Sequence, residues 1–362
     1  MFQTIKKIIK IVVAIECVFI ILVLIPSIYV YKNDIIAKNI KGKGNASFSV
    51  LIYGTDKMFP ERFDAYTALY DKSTNMFKIL SVNTEAVVFK KKEKARSLKT
   101  RFNENAKKDL DNALKVFYLD LHEILGTTAD FDFYININFE TLDIMMRHNR
   151  KLKSMLSQDN FENKDLESLN RLEMMEQVLH LMPHRMLNIY KNYKLLDTNI
   201  PKLSLLSSAV RLKFLKPAIM FCELPVKYTK MRVEPDKQNI EEFLDKIYCV
   251  NISSQISTRD LLIDVKNASK KLRMAEKATW LLRKNKFDVL DWGTLPVSYD
   301  KTLIKDCKGN FEQSLRIAEV LKAGKVIVSY NNKIYSDISV FVGKDCMIYD
   351  NLDKKGERNG KN

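Results

Sequence analysis

A run of 21 residues from Ile11 to Tyr31, IVVAIECVFIILVLIPSIYVY, contains a single charge, Glu16. As a helix rising ~1.5 Å per residue it is about 30 Å long, the thickness of a bilayer core. It has no polar face, which argues against a helix buried in a soluble domain. Glu16 lies near the N-terminal end, within reach of the interface. Pro26 is tolerable in a membrane helix. Tyr29 and Tyr31 supply an aromatic interfacial end. A cleaved signal peptide needs a shorter apolar core and a small-x-small site. Ser27 lies towards the end of the run, but no A-x-A pattern is found there, so a retained anchor is expected. Lys6, Lys7 and Lys10 precede the run, and Lys32, Lys38, Lys41 and Lys43 follow it, so flanking charge does not decide orientation. A leader of residues 1–10 before a much longer remainder favours leader inside and remainder outside. The expected location is a membrane crossed once by this segment.

The remainder has the composition of a globular protein, with 46% hydrophobic and 29% charged residues. Lys plus Arg number 60 against 44 Asp plus Glu, a net charge of +16. That balance favours an anionic partner such as lipid head groups or a phosphate-bearing polymer, or serves only solubility. Cys17, Cys222, Cys249, Cys307 and Cys346 show no CxxC spacing and no zinc-type His neighbours, so no disulfide scaffold or zinc site is expected.

The fold class expected beyond the anchor is α/β (α+β), in two units. Residues 32–45 read as a polar tether, about 50 Å when extended at ~3.3 Å per residue. A first domain covers 46–233. Its expected strands are Phe48–Tyr53, Ala65–Tyr70, Phe77–Val82 and the alternating FDFYININF at 131–139. Its expected helices are Asn105–Leu125 and 162–193. A linker is expected at 234–257. A second unit at 258–348 reads β-α-β-β-α-β-β, a small α/β sandwich expected to fold alone. Its first helix, Asn267–Lys284, is capped by Asn267 or Ser269, and its second, Phe311–Lys322, ends before Gly324. Residues 349–362 form a charged tail.

Particular stretches of both units resemble one family. DLLIDVKNAS, KKLRMAEKATWLLRKNKFDVLDWG, TLIKDCKGNFEQSLRIAEVL and SDISVFVGKD resemble the LytR C-terminal domain over about ninety residues, with Gly343 and Asp345 of its closing motif retained. Earlier in the chain, VLIYGTD at 50–56, Arg62-Phe63-Asp64-Ala65 and Lys78–Val82 are similar to motif strands of the LytR–CpsA–Psr (LCP) catalytic domain. The resemblance spans roughly 46–227 and weakens after residue 85. It implies a membrane-anchored phosphotransferase that moves a glycopolymer from a polyprenyl phosphate or pyrophosphate lipid to the cell wall with Mg2+. On that reading Asp56, Arg62, Asp64 and Glu85 form the catalytic set. Asp56 and Asp64 hold the metal, and Arg62 and Arg171 grip the phosphates.

The chain departs from the family pattern at Asn83-Thr84-Glu85, where the family has Pro-Arg-Asp, at Arg171–Met175, where it has a second arginine, and at Arg147-His148-Asn149, where it has a double-glycine turn. Lost donors at a phosphate site lower rate steeply. Two readings therefore stand: an LCP-type protein with weakened or lost transfer, or a non-enzymatic scaffold that binds wall polymer or protein partners through its C-terminal unit. As the bland alternative, Asp56 is a turn residue and Arg62 and Asp64 are surface charges. The basic run KKKEKARSLKTR at 90–101 reads as an anion-binding patch or a solvated loop. His180 and His184 share i, i+4 spacing, but Pro183 intervenes and no HExxH glutamate is present. No P-loop, GxSxG, GxGxxG or DNA-reading helix is evident, so nucleic acid is not an expected partner.

Protease added to cells with a permeabilised outer layer is expected to digest residues 46–362. Protection until the cytoplasmic membrane is lysed would reverse the orientation.

Overall fold

The computed structural model describes residues 49–55, 63–71, 74–88, 95–126, 131–136, 165, 168–169, 172–173, 176, 197–200, 218–230, 232–248 and 261–346. The anchor at 11–31, the tether, the histidine pair and the tail lie outside them. Among the described residues no helix is long and apolar enough to cross a membrane.

The architecture is a mixed α/β sheet flanked by helices. The strands are β1 Ser49–Thr55, β2 Phe63–Asp71, β3 Met76–Val82, β4 Val87–Val88, β5 Arg96–Ser97, β6 Phe133–Asn136, β7 Asp197–Thr198, β8 Ala218–Glu223, β9 Val226–Tyr228, β10 Val233–Pro235, β11 Ile263–Asn267, β12 Val289–Thr294, β13 Leu303–Asp306, β14 Lys325–Val328 and β15 Ile338–Val342. Eleven of them form one sheet in the order β12-β11-β15-β13-β14-β8-β3-β2-β1-β6-β7. The helices are α1 Leu98–Ala106, α2 Leu110–Leu125, α3 Lys237–Phe243, α4 Met274–Lys284 and α5 Phe311–Leu321. A π-helical turn, Leu244–Tyr248, continues α3.

Alternation explains the central hairpin. In β2 and β3, Ala65, Leu80 and Val82 face one core while Tyr66, Ala68, Tyr70, Phe77 and Ile79 face another. The first core is covered by Phe102 of α1, by Ala113, Phe117 and Leu121 of α2, by α3, and by α4 and α5. The second is covered by the described positions of the 162–193 stretch. Residues 165, 168, 169, 172, 173 and 176 are helical, with Leu169 and Leu172 buried against the sheet. Their spacing of three and four residues puts them on one face.

The second unit has the order β11-α4-β12-β13-α5-β14-β15. Its sheet is continuous with that of the first unit, because β14 pairs in parallel with β8, Ile327 opposite Phe221 and Val328 opposite Cys222. Where the sequence reading places a linker at 234–257, residues Lys237–Tyr248 are helical. Ile240, Phe243, Ile247 and Tyr248 are buried in the shared core, and this apolar face gives the segment its place. The segment bonds in both directions. The Lys78 ammonium on β3, 2% exposed, donates to the Ile247 and Tyr248 carbonyls at 3.1 and 3.2 Å. On the other side Tyr330 donates to Glu242 at 2.7 Å, and the Asn332 backbone N–H donates to Asn239 at 3.0 Å.

Two helix starts differ from expectation. The Asn267 carboxamide oxygen accepts from the Ser269 backbone and hydroxyl, closing a turn, and α4 begins only after Arg273, whose guanidinium grips Glu276. The helix expected from Asn105 is instead two helices, α1 and α2. Ser97 caps the first by accepting from Thr100 N–H, and Asp109 caps the second by accepting from Asp111 N–H.

Gly309 sits where the segment around Ile247 meets the second unit. Its φ is +90°, and a Cβ there would lie 2.6 Å from a side-chain carbon of buried Ile247. Gly309→Ala is therefore expected to lose about 2–4 kcal/mol in urea unfolding, combining backbone strain with overpacking. A loss below ~1 kcal/mol would show that this contact does not fix the junction.

Candidate functional site

Strands β1, β3, β6, β8, β13 and β14 run in the same direction. Their carboxyl ends, at Thr55, Val82, Asn136, Glu223, Asp306 and Val328, therefore lie along one edge of the sheet. Antiparallel β2 starts at that edge, with Asp64 opposite Gly54 and Ala65 opposite Val82. The three motif strands read from the sequence are thus immediate neighbours and meet at one end. Asp56, Arg62 and Arg171 lie outside the described residues. Asp64 is described as backbone only.

Glu85 follows β3 in a tight turn. Asn83 accepts from Glu85 N–H at 3.0 Å, and the Thr84 and Ala86 carbonyls accept from Lys99 and Leu98 at the start of α1. Thr84, standing where an arginine is expected, is buried. The Glu85 carboxylate is 57% exposed and pairs with Lys99 at 3.0 Å. An ion pair this open contributes ~0–1 kcal/mol.

The basic run is neither a loop nor a free cationic patch over its described part. Arg96 pairs with Glu104 and Lys99 with Glu85. Arg101 is buried on α1 and donates to buried Asp120 of α2 at 2.7 Å. That charge-assisted bond fixes how the two helices pack.

The sequence reading also missed a charged group at the β8–β13 end. Lys305 of β13 donates to Asp165 at 2.8 Å, and Glu223 at the end of β8 accepts from Ser168. Burial works against the Lys305 charge, but Asp165 and Glu223 outweigh it and hold its pKa above the ordinary value. Lys301 pairs with Glu173, and Lys325 with Glu176 at 2.5 Å. Three acidic residues of one helical face thus meet three lysines of the second unit. The sequence signal was there: Asp165, Glu173 and Glu176 repeat at helical spacing, though their lysine partners are over a hundred residues away.

Among the described residues no three His, Cys, Asp or Glu come together as a metal-binding set. Glu85 faces a lysine, and Glu223 faces a serine hydroxyl and Lys305. Cys222, Cys307 and Cys346 are buried. Burial pushes the Cys222 thiol far up and the Cys307 thiol to about 11, so neither is a nucleophile at neutral pH. In the C-terminal motif, Asp345 accepts from the Thr302 N–H and hydroxyl, both at 2.7 Å. A Cβ on Gly343 would lie 2.3 Å from the Lys301 carbonyl carbon. Both motif residues hold the Thr302 turn.

No protein-family model matches the chain, and no curated protein matches it. Solved structures do. TagT of B. subtilis is 16% identical, with 56% of this chain and 90% of that one covered at a TM-score of 0.36. TagU of B. subtilis is 12% identical, with 55% and 94% covered at 0.39. TagV of the same organism is 15% identical, with 55% and 94% covered at 0.37. These three are LCP-family proteins. The likeness is distant.

Asp306 provides a pH test of this end of the sheet. One carboxylate oxygen accepts from the Lys308 and Gly309 backbone N–H groups at 3.0 and 2.7 Å, and the other has no hydrogen-bond partner among the described residues. Burial raises the pKa to about 6, against these backbone bonds. A raised folded pKa means that the stability this carboxyl contributes is present below about pH 4 and is lost as pH rises through about 6. Urea unfolding of the parent and of Asp306→Asn should therefore diverge between pH 4 and 7. The parent should lose up to about 3 kcal/mol relative to the variant. A constant difference would show that Asp306 ionises as freely in the folded state as in the unfolded one.

Proposed function

We propose that this chain is a single-pass envelope-biogenesis protein of the LCP type, anchored by residues 11–31 with its globular part outside the cytoplasm. It engages a polyprenyl phosphate or pyrophosphate lipid that carries a wall glycopolymer, and its transfer activity is weakened or lost. The observation that carries this reading is the register at the sheet end. Gly54 stands opposite Asp64, and Ala65 opposite Val82. The segments resembling three separate family motifs are thereby neighbours at one edge. In this reading Arg62 and Arg171 bind phosphate oxygens, and Asp56 and Asp64 hold Mg2+, which neutralises developing charge. The net charge of +16 draws an anionic ligand from a distance.

The scaffold reading has its own support. Thr84 is buried where a phosphate-binding arginine would stand, and Glu85 is tied to Lys99. Both features favour binding without turnover.

The test is binding of a polyprenyl pyrophosphate lipid to the full chain in detergent, with and without Mg2+. The parent is expected to bind, more tightly with Mg2+. Arg62→Ala is expected to weaken binding about tenfold or more, the loss of one charge-assisted bond. Undetectable binding, or an Arg62→Ala variant that binds as the parent does, would leave the scaffold reading in front.

A further inference from the structure

The inner face of α4 is filled by buried Ala275, Ala278 and Leu282. Its outer face carries Trp280, Arg283 and Lys284 at i, i+3 and i+4, close enough to form one surface. The Lys284 ammonium sits 5.1 Å from the Trp280 ring centroid. The Arg283 guanidinium sits 5.3 Å from the ring of Trp292 on β12 and also donates to the Val289 carbonyl at 2.8 Å. Both rings are about half exposed, at 49% and 47%. They are the only two tryptophans in the chain. Among the described residues neither Arg283 nor Lys284 has an acidic partner, although other cations nearby do: Arg273 pairs with Glu276, and Lys266 with Asp264 and Asp291. Two open aromatic rings, each holding a cation without an acidic partner among the described residues, make a cationic-aromatic surface.

We propose that this platform binds an anionic sugar polymer, with sugar rings packed on Trp280 and Trp292 and its acidic groups on Arg283 and Lys284. The proposal rests on the envelope reading above and gives the C-terminal unit a ligand class within it. A cation held over an aromatic face is prepared for an anion, and the ring beside it offers apolar area to the face of a sugar. An acidic polypeptide fits less well. Strand addition needs a regular open edge, but β12 has a register irregularity at its start, between Ile263 and Asp264 of its partner β11. It also presents exposed Asp291, a charge that blunts an edge.

The two tryptophans make the test direct, because tryptophan emission of the full chain in detergent, excited selectively over its tyrosines, reports this surface alone. Phosphomannan oligosaccharide is titrated beside neutral mannan and a polyglutamate peptide. Phosphomannan is expected to shift the emission and neutral mannan to do so far more weakly. By calorimetry, Trp292→Ala and Arg283→Gln are each expected to bind phosphomannan about tenfold more weakly. Polyglutamate binding as tight as phosphomannan would overturn the proposal in favour of a protein-docking surface. Absent response to phosphomannan, or variants that bind like the parent, would overturn it outright. Polyprenyl-lipid binding is measured on the same preparations. Lipid binding lost with phosphomannan binding kept sinks the lipid reading alone, and the reverse sinks this one alone.

Discussion

A buried positive charge organises this protein. Lys78 lies in the middle of the sheet, and an ammonium ion there is costly unless it is bonded. Its partners are the Ile247 and Tyr248 carbonyls at the end of the segment that α3 begins. A helix leaves its last carbonyls unsatisfied, and its C-terminal end carries partial negative charge. Each partner thus meets a need of the other, and the bond holds the segment across β3. From there Glu242 and Asn239 reach Tyr330 and Asn332, and Ile247 packs against the Gly309 turn. The two halves of the chain are joined through this segment as well as through the sheet.

Much of the fold was written in local pattern. The alternation in FDFYININF marks β6, and the 3.6-residue spacing of Phe117 and Leu121 marks α2. The element order of the C-terminal half follows from the same reasoning. Helix α1 was missed because five lysines and arginines before Ser97 suggest a loop. The counter-signal was Ser97, a good N-cap, followed by Leu98 and Phe102 at i, i+4. Arg101 falls on that buried side, which is why it needs Asp120. The join between β8 and β14 was not legible as a pairing, since nothing local names a strand's neighbour. It did leave a trace: Val326, Ile327 and Val328 are apolar on both faces, as are Met220, Phe221 and Cys222. Strands buried on both sides belong inside a sheet rather than at the border of a separate domain.

The candidate site was legible as motif strands and less so as chemistry. Register brings the ends of β1 and β3 and the start of β2 to one edge. The side chain of Glu85, read from the sequence as a catalytic carboxylate, forms an exposed ion pair with Lys99. Asn83 closes a turn that presses Thr84 inward. The local geometry after β3 is therefore built for docking α1. Buried Arg101 and Asp120 tie α1 to α2, and half-buried Lys305 ties the described helical residues around Asp165 to the sheet.

The β8–β14 line also sets how stiff the molecule is. Only two register pairs join these strands, between a ladder of six pairs on one side and four on the other. A sheet bends and twists most easily where it has the fewest rungs. This line is splinted on both faces, by the α3 segment on one and by the described helical residues 165, 168, 169, 172, 173 and 176 on the other. The second splint is fastened by the Asp165–Lys305 and Glu176–Lys325 pairs, whose side chains are only partly covered, between 23% and 33% exposed. Dissolved ions weaken such pairs. The bending rigidity of the whole sheet is then a property that the ionic strength around the protein can tune.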